Sequence, residues 1–218
     1  MAFSITLILV VITVLVSLGG LSNQKVMDDL IFYPPAVTHH NQFYRFFTCG
    51  LIHADFGHLL FNMLALYFFG RGVEDAFVAL TGPAGRYIYL LMYVSALLIS
   101  LLPTYFRNKE NYQYRSLGAS GAVSAVIFAG LMLAPETEVY IFFIPIPIPG
   151  FIFAPLYLLL SAMMDKRGGS NINHSAHIWG ALYGLAFVIV MGILVDFNVV
   201  AIGLERIKAY LHTKGWIK

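Results

Sequence analysis

Charge and cysteine are what this sequence has least of. Only 11% of its 218 residues are Asp, Glu, Lys or Arg, against roughly 25% in ordinary soluble domains. Cys49 is the one cysteine, which excludes an intrachain disulfide and a cysteine metal cluster. The formal net charge is +2, and the basic residues are scattered near the ends of apolar runs. No basic stripe is present, so nucleic acid is not expected as a partner. No internal repeat, low-complexity tract or window of ordinary soluble composition interrupts the chain.

What is present is apolar: 59% of residues are hydrophobic and the mean hydropathy is +0.78. The chain therefore reads as an integral, multi-pass membrane protein. Six runs, near 4–19, 58–79, 86–103, 119–134, 148–164 and 176–195, approach the length needed to cross a hydrocarbon layer about 30 Å thick. We expect one all-α membrane domain over 1–218, a bundle of six transmembrane helices with a long interfacial first loop and a basic tail. The first run superficially resembles a secretory signal, but it lacks a basic leading region and a small-residue cleavage site, so it is counted as a span. Lys/Arg bias does not orient the bundle. With both ends inside, Arg71, Arg86, Arg206, Lys208, Lys214 and Lys218 are inner, while Lys25, Arg45, Arg107, Lys109, Arg115, Lys166 and Arg167 are outer, six against seven.

Three links stand out. The stretch from about 20 to 57 is too long for a turn and rich in aromatics. Its rings and Arg45 suit the headgroup boundary. In "IPIPIPG" the prolines at 145, 147 and 149 deny backbone donors, which predicts an extended link and a loosely started fifth helix. The polar "DKRGGSNIN" before the sixth run, with two adjacent glycines, reads as a mobile surface loop.

Polar groups inside apolar spans are expensive and point to function. In "HADFGHLLFN", His58 and Asn62 are four residues apart, on one helix face, and both can donate hydrogen bonds toward one point. Taken alone they read equally well as interhelical packing bonds. In "GASG", Ser120 opens a helix whose small residues Gly121, Ala125 and Ala129 recur every four positions, which lets a neighbouring helix approach closely. From Ser120 to Pro135 that helix is about 22 Å long at about 1.5 Å per residue. Its head then lies below the surface, where irregular backbone requires a water-filled, protein-walled cavity. The first N–H groups and the positive end of the helix dipole sit there too, suited to an oxyanion. In "HIWGALYG", His177 shares a face with Gly180, Ala181 and Gly184. If that face meets the small face after Ser120, the serine and imidazole come within hydrogen-bond reach, as nucleophilic catalysis requires. His174 and His177 could instead ligate a metal, but no nearby carboxylate or cysteine completes a site and H-E-x-x-H is absent. Counting spans puts His58, Asn62, Ser120 and His177 at the same side of the membrane, which favours a single site.

These motifs resemble the rhomboid family of intramembrane serine proteases. "HADFGHLLFN" is similar to the family's His-x-x-x-Asn segment, "GASG" to its G-x-S-G and "AHIWGALYG" to its A-H-x-x-G-x-x-x-G, while "GRGVED" places Glu74 at a structural acidic position. Tyr44–Arg45 departs from the family's Trp-Arg. The resemblance implies Ser120 as nucleophile and His177 as general base. It assigns His58, Asn62 and the Ser120 N–H to an oxyanion hole. No acid lies close to His177 in sequence, so a dyad is expected, without metal or cofactor. The implied substrates are transmembrane segments of other membrane proteins, met within membrane lipid. A bacterial cytoplasmic membrane is the expected location, with the site facing outward. The fifth helix and the "DKRGGSNIN" loop could serve as gate and cap. Two other classes remain: a non-catalytic rhomboid-like adaptor that binds transmembrane clients, and a small transporter or channel. Adaptors of that kind typically lose the serine or histidine, both kept here. A transporter predicts paired charges or broken helices near the midplane, whereas these polar residues gather toward one side.

Overall fold

The structure, a computed structural model, describes residues 4–141, 144–167 and 172–217. Its helices are α1 (Ile5–Ser22), α2 (Gln24–Leu30), α3 (Pro34–His40), α4 (Arg45–Thr48), α5 (Phe56–Thr81), α6 (Gly85–Asn108), α7 (Ser120–Leu133), α8 (Gly150–Arg167), α9 (His174–Leu194) and α10 (Val199–Thr213). Two short strands, β1 (Glu138–Ile141) and β2 (Ile144–Pro149), pair antiparallel between α7 and α8. Ile5–Ser22, Phe56–Asn108 and His174–Leu194 contain stretches long and apolar enough to cross a membrane, and Ser120–Leu133 is a shorter apolar helix. The Phe56–Asn108 stretch is α5 and α6 joined by the 3-10 turn Gly82–Ala84. The architecture is a membrane helix bundle.

Helix starts follow local chemistry. Ser4, Asp55, Asn173 and Asn198 each precede a helix and accept a hydrogen bond from a backbone N–H of its first turn, which satisfies donors that the helix itself cannot. Two of these caps fix the helices that carry His58 and His177. The core lies among α5, α6, α7 and α9, where Leu66, Met92, Ala96, Ala122, Ala125, Val126 and Val188 are fully buried. A second cluster of Phe32, Val37, Phe46, Cys49, Leu101 and Ala176 fastens the first loop onto that core.

Glu74 joins α5 to the start of α1. Its carboxylate accepts bonds from Ser4 Oγ at 2.7 Å, the Ile5 N–H at 2.8 Å, the Thr6 N–H at 3.0 Å and Thr6 Oγ1 at 2.8 Å. A carboxylate against a helix N-terminus is favoured by the dipole as well as by the bonds. Glu74→Ala strips all four donors of their acceptor at a site only 3% exposed. It should destabilise the fold by about 3 kcal/mol, since each orphaned buried donor costs about 1–3 kcal/mol. A melting curve of the detergent-solubilised variant that superimposes on wild type would refute this role.

Two expectations need correction. Arg45 is not a headgroup anchor. It is 8% exposed, and its Nη1 donates to the carbonyls of Asp28 at 2.9 Å and Ile31 at 2.6 Å while its Nε donates to Gln42. The first loop is thus folded around its own backbone, with Phe32 and Phe46 buried. The proline-rich link is extended as expected, as strand β2, with Val139 paired to Ile148 and Glu138 to Pro149. The fifth apolar helix, however, does not start loosely. The Gly150 N–H donates to Thr137 O and the Phe151 N–H to Pro135 O, both at 2.9 Å. Within the "DKRGGSNIN" link, Asp165–Arg167 belong to α8, whereas residues 168–171 lie outside the described residues. The basic tail is largely helical, as α10, and its Arg206 and Lys214 pair with Glu136 and Glu138 beside the hairpin.

Candidate active site

α7 and α9 meet along their small residues. Gly180 lies so close to the Gly121 backbone, and Gly184 so close to that of Ala125, that a Cβ at either position would collide with a carbonyl. Gly121, Ala125, Gly180 and Gly184 are all buried. Such a seam lets two helix axes come closer than branched side chains permit. At its polar end it brings together residues 57 positions apart: His177 Nε2 lies 2.7 Å from Ser120 Oγ.

Ser120 is the first residue of α7, and the first-turn N–H groups of a helix have no intrahelical acceptors. The approach to it is shaped by Gly118, whose φ of +110° suits glycine. A Cβ there would sit 2.7 Å from His58 Cε1 and 2.9 Å from its Nε2. The His58 ring therefore packs directly on the backbone two residues before Ser120. Asn62, 7% exposed, donates from Nδ2 to His58 O at 2.9 Å. That bond uses one of its two amide hydrogens and leaves the other to bond elsewhere. His174 lies edge-on to His177 with ring centroids 6.0 Å apart. Among the described residues, no three His, Cys, Asp or Glu side chains come together as a metal site.

The segment before Ser120 is held by the first loop. Phe32 and Ser116 exchange backbone hydrogen bonds, the Gly118 N–H donates to Cys49 O, and the Ala119 N–H donates to His53 Nε2 at 3.4 Å. Asn173, the cap of α9, accepts from Thr104 Oγ1 and donates to Ser116 Oγ. Beside Ser120 lies a cavity of about 10 Å³ lined in part by Ser100, Ser116 and Asn173, roughly the space one water molecule needs. His53 and Asn173 escaped the sequence reading. His53 has no helical spacing to mark it, although it stands in the same short stretch as His58.

Similarity to known proteins runs over the same region. A family profile described as the Rhomboid domain matches residues 40–193. The chain is 31% identical to "RHOMBOID-like protein 12, mitochondrial" of Arabidopsis thaliana over 144 residues, 62% of this chain and 42% of that protein. It is 27% identical to "Putative rhomboid protease YdcA" of Bacillus subtilis over 170 residues, 72% of this chain and 74% of that one. It is 29% identical to "Rhomboid protease GlpG" of Enterobacter sp. over 188 residues, 84% of this chain and 61% of that one. The match thus spans less than half the length of the plant relative.

Proposed function

The chain belongs to the rhomboid family, and from that membership we propose that it is an intramembrane serine endopeptidase cutting transmembrane segments of other membrane proteins. The observation that carries the reading is the 2.7 Å contact between Ser120 Oγ and His177 Nε2. In this reading residues 1–218 form one domain whose six spans are α1 and α5 to α9, set in a bacterial cytoplasmic membrane with the serine end outward.

The chemistry follows from the groups present. His177, neutral and accepting through Nε2, takes the Ser120 proton as Oγ attacks the scissile carbonyl carbon. The carbonyl oxygen becomes an oxyanion, met by the Ser120 N–H, the Asn62 amide and the His58 ring. As the C–N bond breaks, His177 returns the proton to the leaving amine and an acyl-serine remains. Water then attacks the ester, giving its proton to His177, and Ser120 is released. The water-sized cavity beside Ser120 supports this last step in a bilayer that otherwise excludes water. A substrate helix hides its carbonyls in hydrogen bonds, so a segment that unwinds easily is preferred. α8, in which the buried described side chains are few, is the wall beside which it enters.

The test is cleavage of a model transmembrane peptide by the purified protein in detergent, with a fluorophosphonate probe for the serine. Both reactions are expected in wild type. A folded protein that binds the peptide without labelling or cutting would instead be an adaptor. Asn62→Ala should lower turnover by about 10² to 10³, the usual loss for one oxyanion donor. Wild-type rates in that variant would remove Asn62 from the site.

A further inference from the structure

His53 is fully buried and has no role in the chemistry above, yet both of its ring nitrogens are engaged. Nδ1 lies 2.9 Å from Ser17 Oγ, which reaches in from α1. Ser17 Oγ also lies 2.8 Å from Leu51 O. A hydroxyl has one hydrogen and a carbonyl only accepts, so the Ser17 proton goes to Leu51 O. Toward His53 the serine oxygen can then only accept, which puts a hydrogen on Nδ1. A neutral imidazole has a single N–H, so Nε2 is bare and accepts the Ala119 N–H at 3.4 Å. Burial holds the His53 pKa down to about 3, with the neighbouring His58 adding to that and Asp55 opposing it, so the ring stays neutral. His58 stands edge-on to it, with centroids 4.9 Å apart and planes at 77°.

Resting on the protease reading, we infer that His53 is a positioning residue: held as the Nδ1–H tautomer by Ser17, it fixes Ala119 through Nε2 and so aims the head of α7, Ser120 and its N–H, at the reacting carbonyl. It touches neither substrate nor the reacting atoms. It acts by denying the Gly118–Ala119 peptide, just before Ser120, its freedom to turn, while its ring packs edge-on against His58.

The two amide replacements of His53 separate this role from bulk packing. A glutamine can present an acceptor near the Nε2 position, whereas an asparagine reaches only about as far as Nδ1. His53→Gln is expected to keep turnover within about threefold of wild type. His53→Asn and Ser17→Ala should lose about 10- to 100-fold in kcat, the scale of a misplacement approaching 1 Å, with KM little changed. Fluorophosphonate labelling of these two should be slower and still reach the wild-type end point, because the fold persists. In nitrogen-15 spectra of histidine-labelled wild type, His53 should show a protonated Nδ1 and a bare Nε2. An active wild type with the hydrogen on Nε2 would overturn the inference. So would a His53→Asn variant at wild-type kcat, or one that loses labelling end point in step with rate. A wild type that neither labels nor cleaves would overturn the protease reading itself, whichever tautomer is found.

Discussion

Replacing Ser120 with alanine is expected to abolish peptide cleavage and fluorophosphonate labelling, with kcat down by a factor on the order of 10⁶, the scale seen when a serine protease loses its nucleophile. No neighbouring group can substitute, because the nucleophile must stand both within reach of a base and beside free N–H donors, and Ser120 heads α7 at 2.7 Å from His177 Nε2. Ser100, Ser116 and Ser124 are nearby in the fold, but they bond to Leu97 O, the Asn173 amide and the Tyr157 hydroxyl, whereas His177 Nε2 meets Ser120 Oγ. His177→Ala should lose nearly as much, since without the imidazole the hydroxyl keeps its proton. The two losses should not add: the double variant is expected to resemble either single one, as residues that act as a unit do. Both variants should still bind the substrate helix and melt near the wild-type temperature. Cleavage that persisted in Ser120→Ala would dismiss the serine mechanism. Cleavage lost in Ser120→Ala yet retained in His177→Ala would leave the serine and dismiss this base.

The site was largely legible because its parts obey short-range rules. Four-residue spacing puts His58 and Asn62 on one face of α5, and small residues at every fourth position mark the seam of α7. Counting spans led to the expectation of one depth, and the contact between Ser120 and His177 accords with it. The rest depends on partners that carry no sequence signal. Arg45 is satisfied by the carbonyls of Asp28 and Ile31, and every residue has a carbonyl. Arg45 therefore read as a headgroup anchor when it is part of a scaffold, although Phe43, Tyr44 and Phe47 beside it stay exposed. The prolines of β2 marked an extended link but not its strand partner β1, although prolines at alternate positions leave the intervening isoleucine N–H groups able to bond, which suits a strand at an edge. His53 meets Ser17 and Ala119 across 36 and 66 positions, a convergence that only the folded first loop creates. Helix ends also moved: α6 runs through Pro103 to Asn108, past the polar residues at which the apolar run stops.

The distance between Ser120 and His177 is set by the glycines of α9, and this gives the second large effect. At Gly180 a Cβ would overlap the Gly121 carbonyl, the residue next to Ser120. Backbone cannot rotate aside as a side chain can, so Gly180→Val must push α9 away from α7 or tilt it. A displacement approaching 1 Å stretches the 2.7 Å contact beyond hydrogen-bond range and should cost about 10²-fold or more in turnover. Overpacking of a close seam adds about 1–3 kcal/mol of destabilisation, which a lower melting temperature would register. Gly180→Ala should fall between wild type and valine in both measurements, and Gly184→Ala, one turn further from the dyad against Ala125, should cost stability more than rate. Gly72 provides the contrast, because a Cβ there meets nothing within 4 Å. Gly72→Ala should leave cleavage untouched and, through helix propensity, stabilise α5 by up to about 1 kcal/mol. If Gly180→Val instead cleaved at the wild-type rate, the helix seam would not be what holds serine and histidine together, and their alignment would have to be sought in the caps and loops at the Ser120 end.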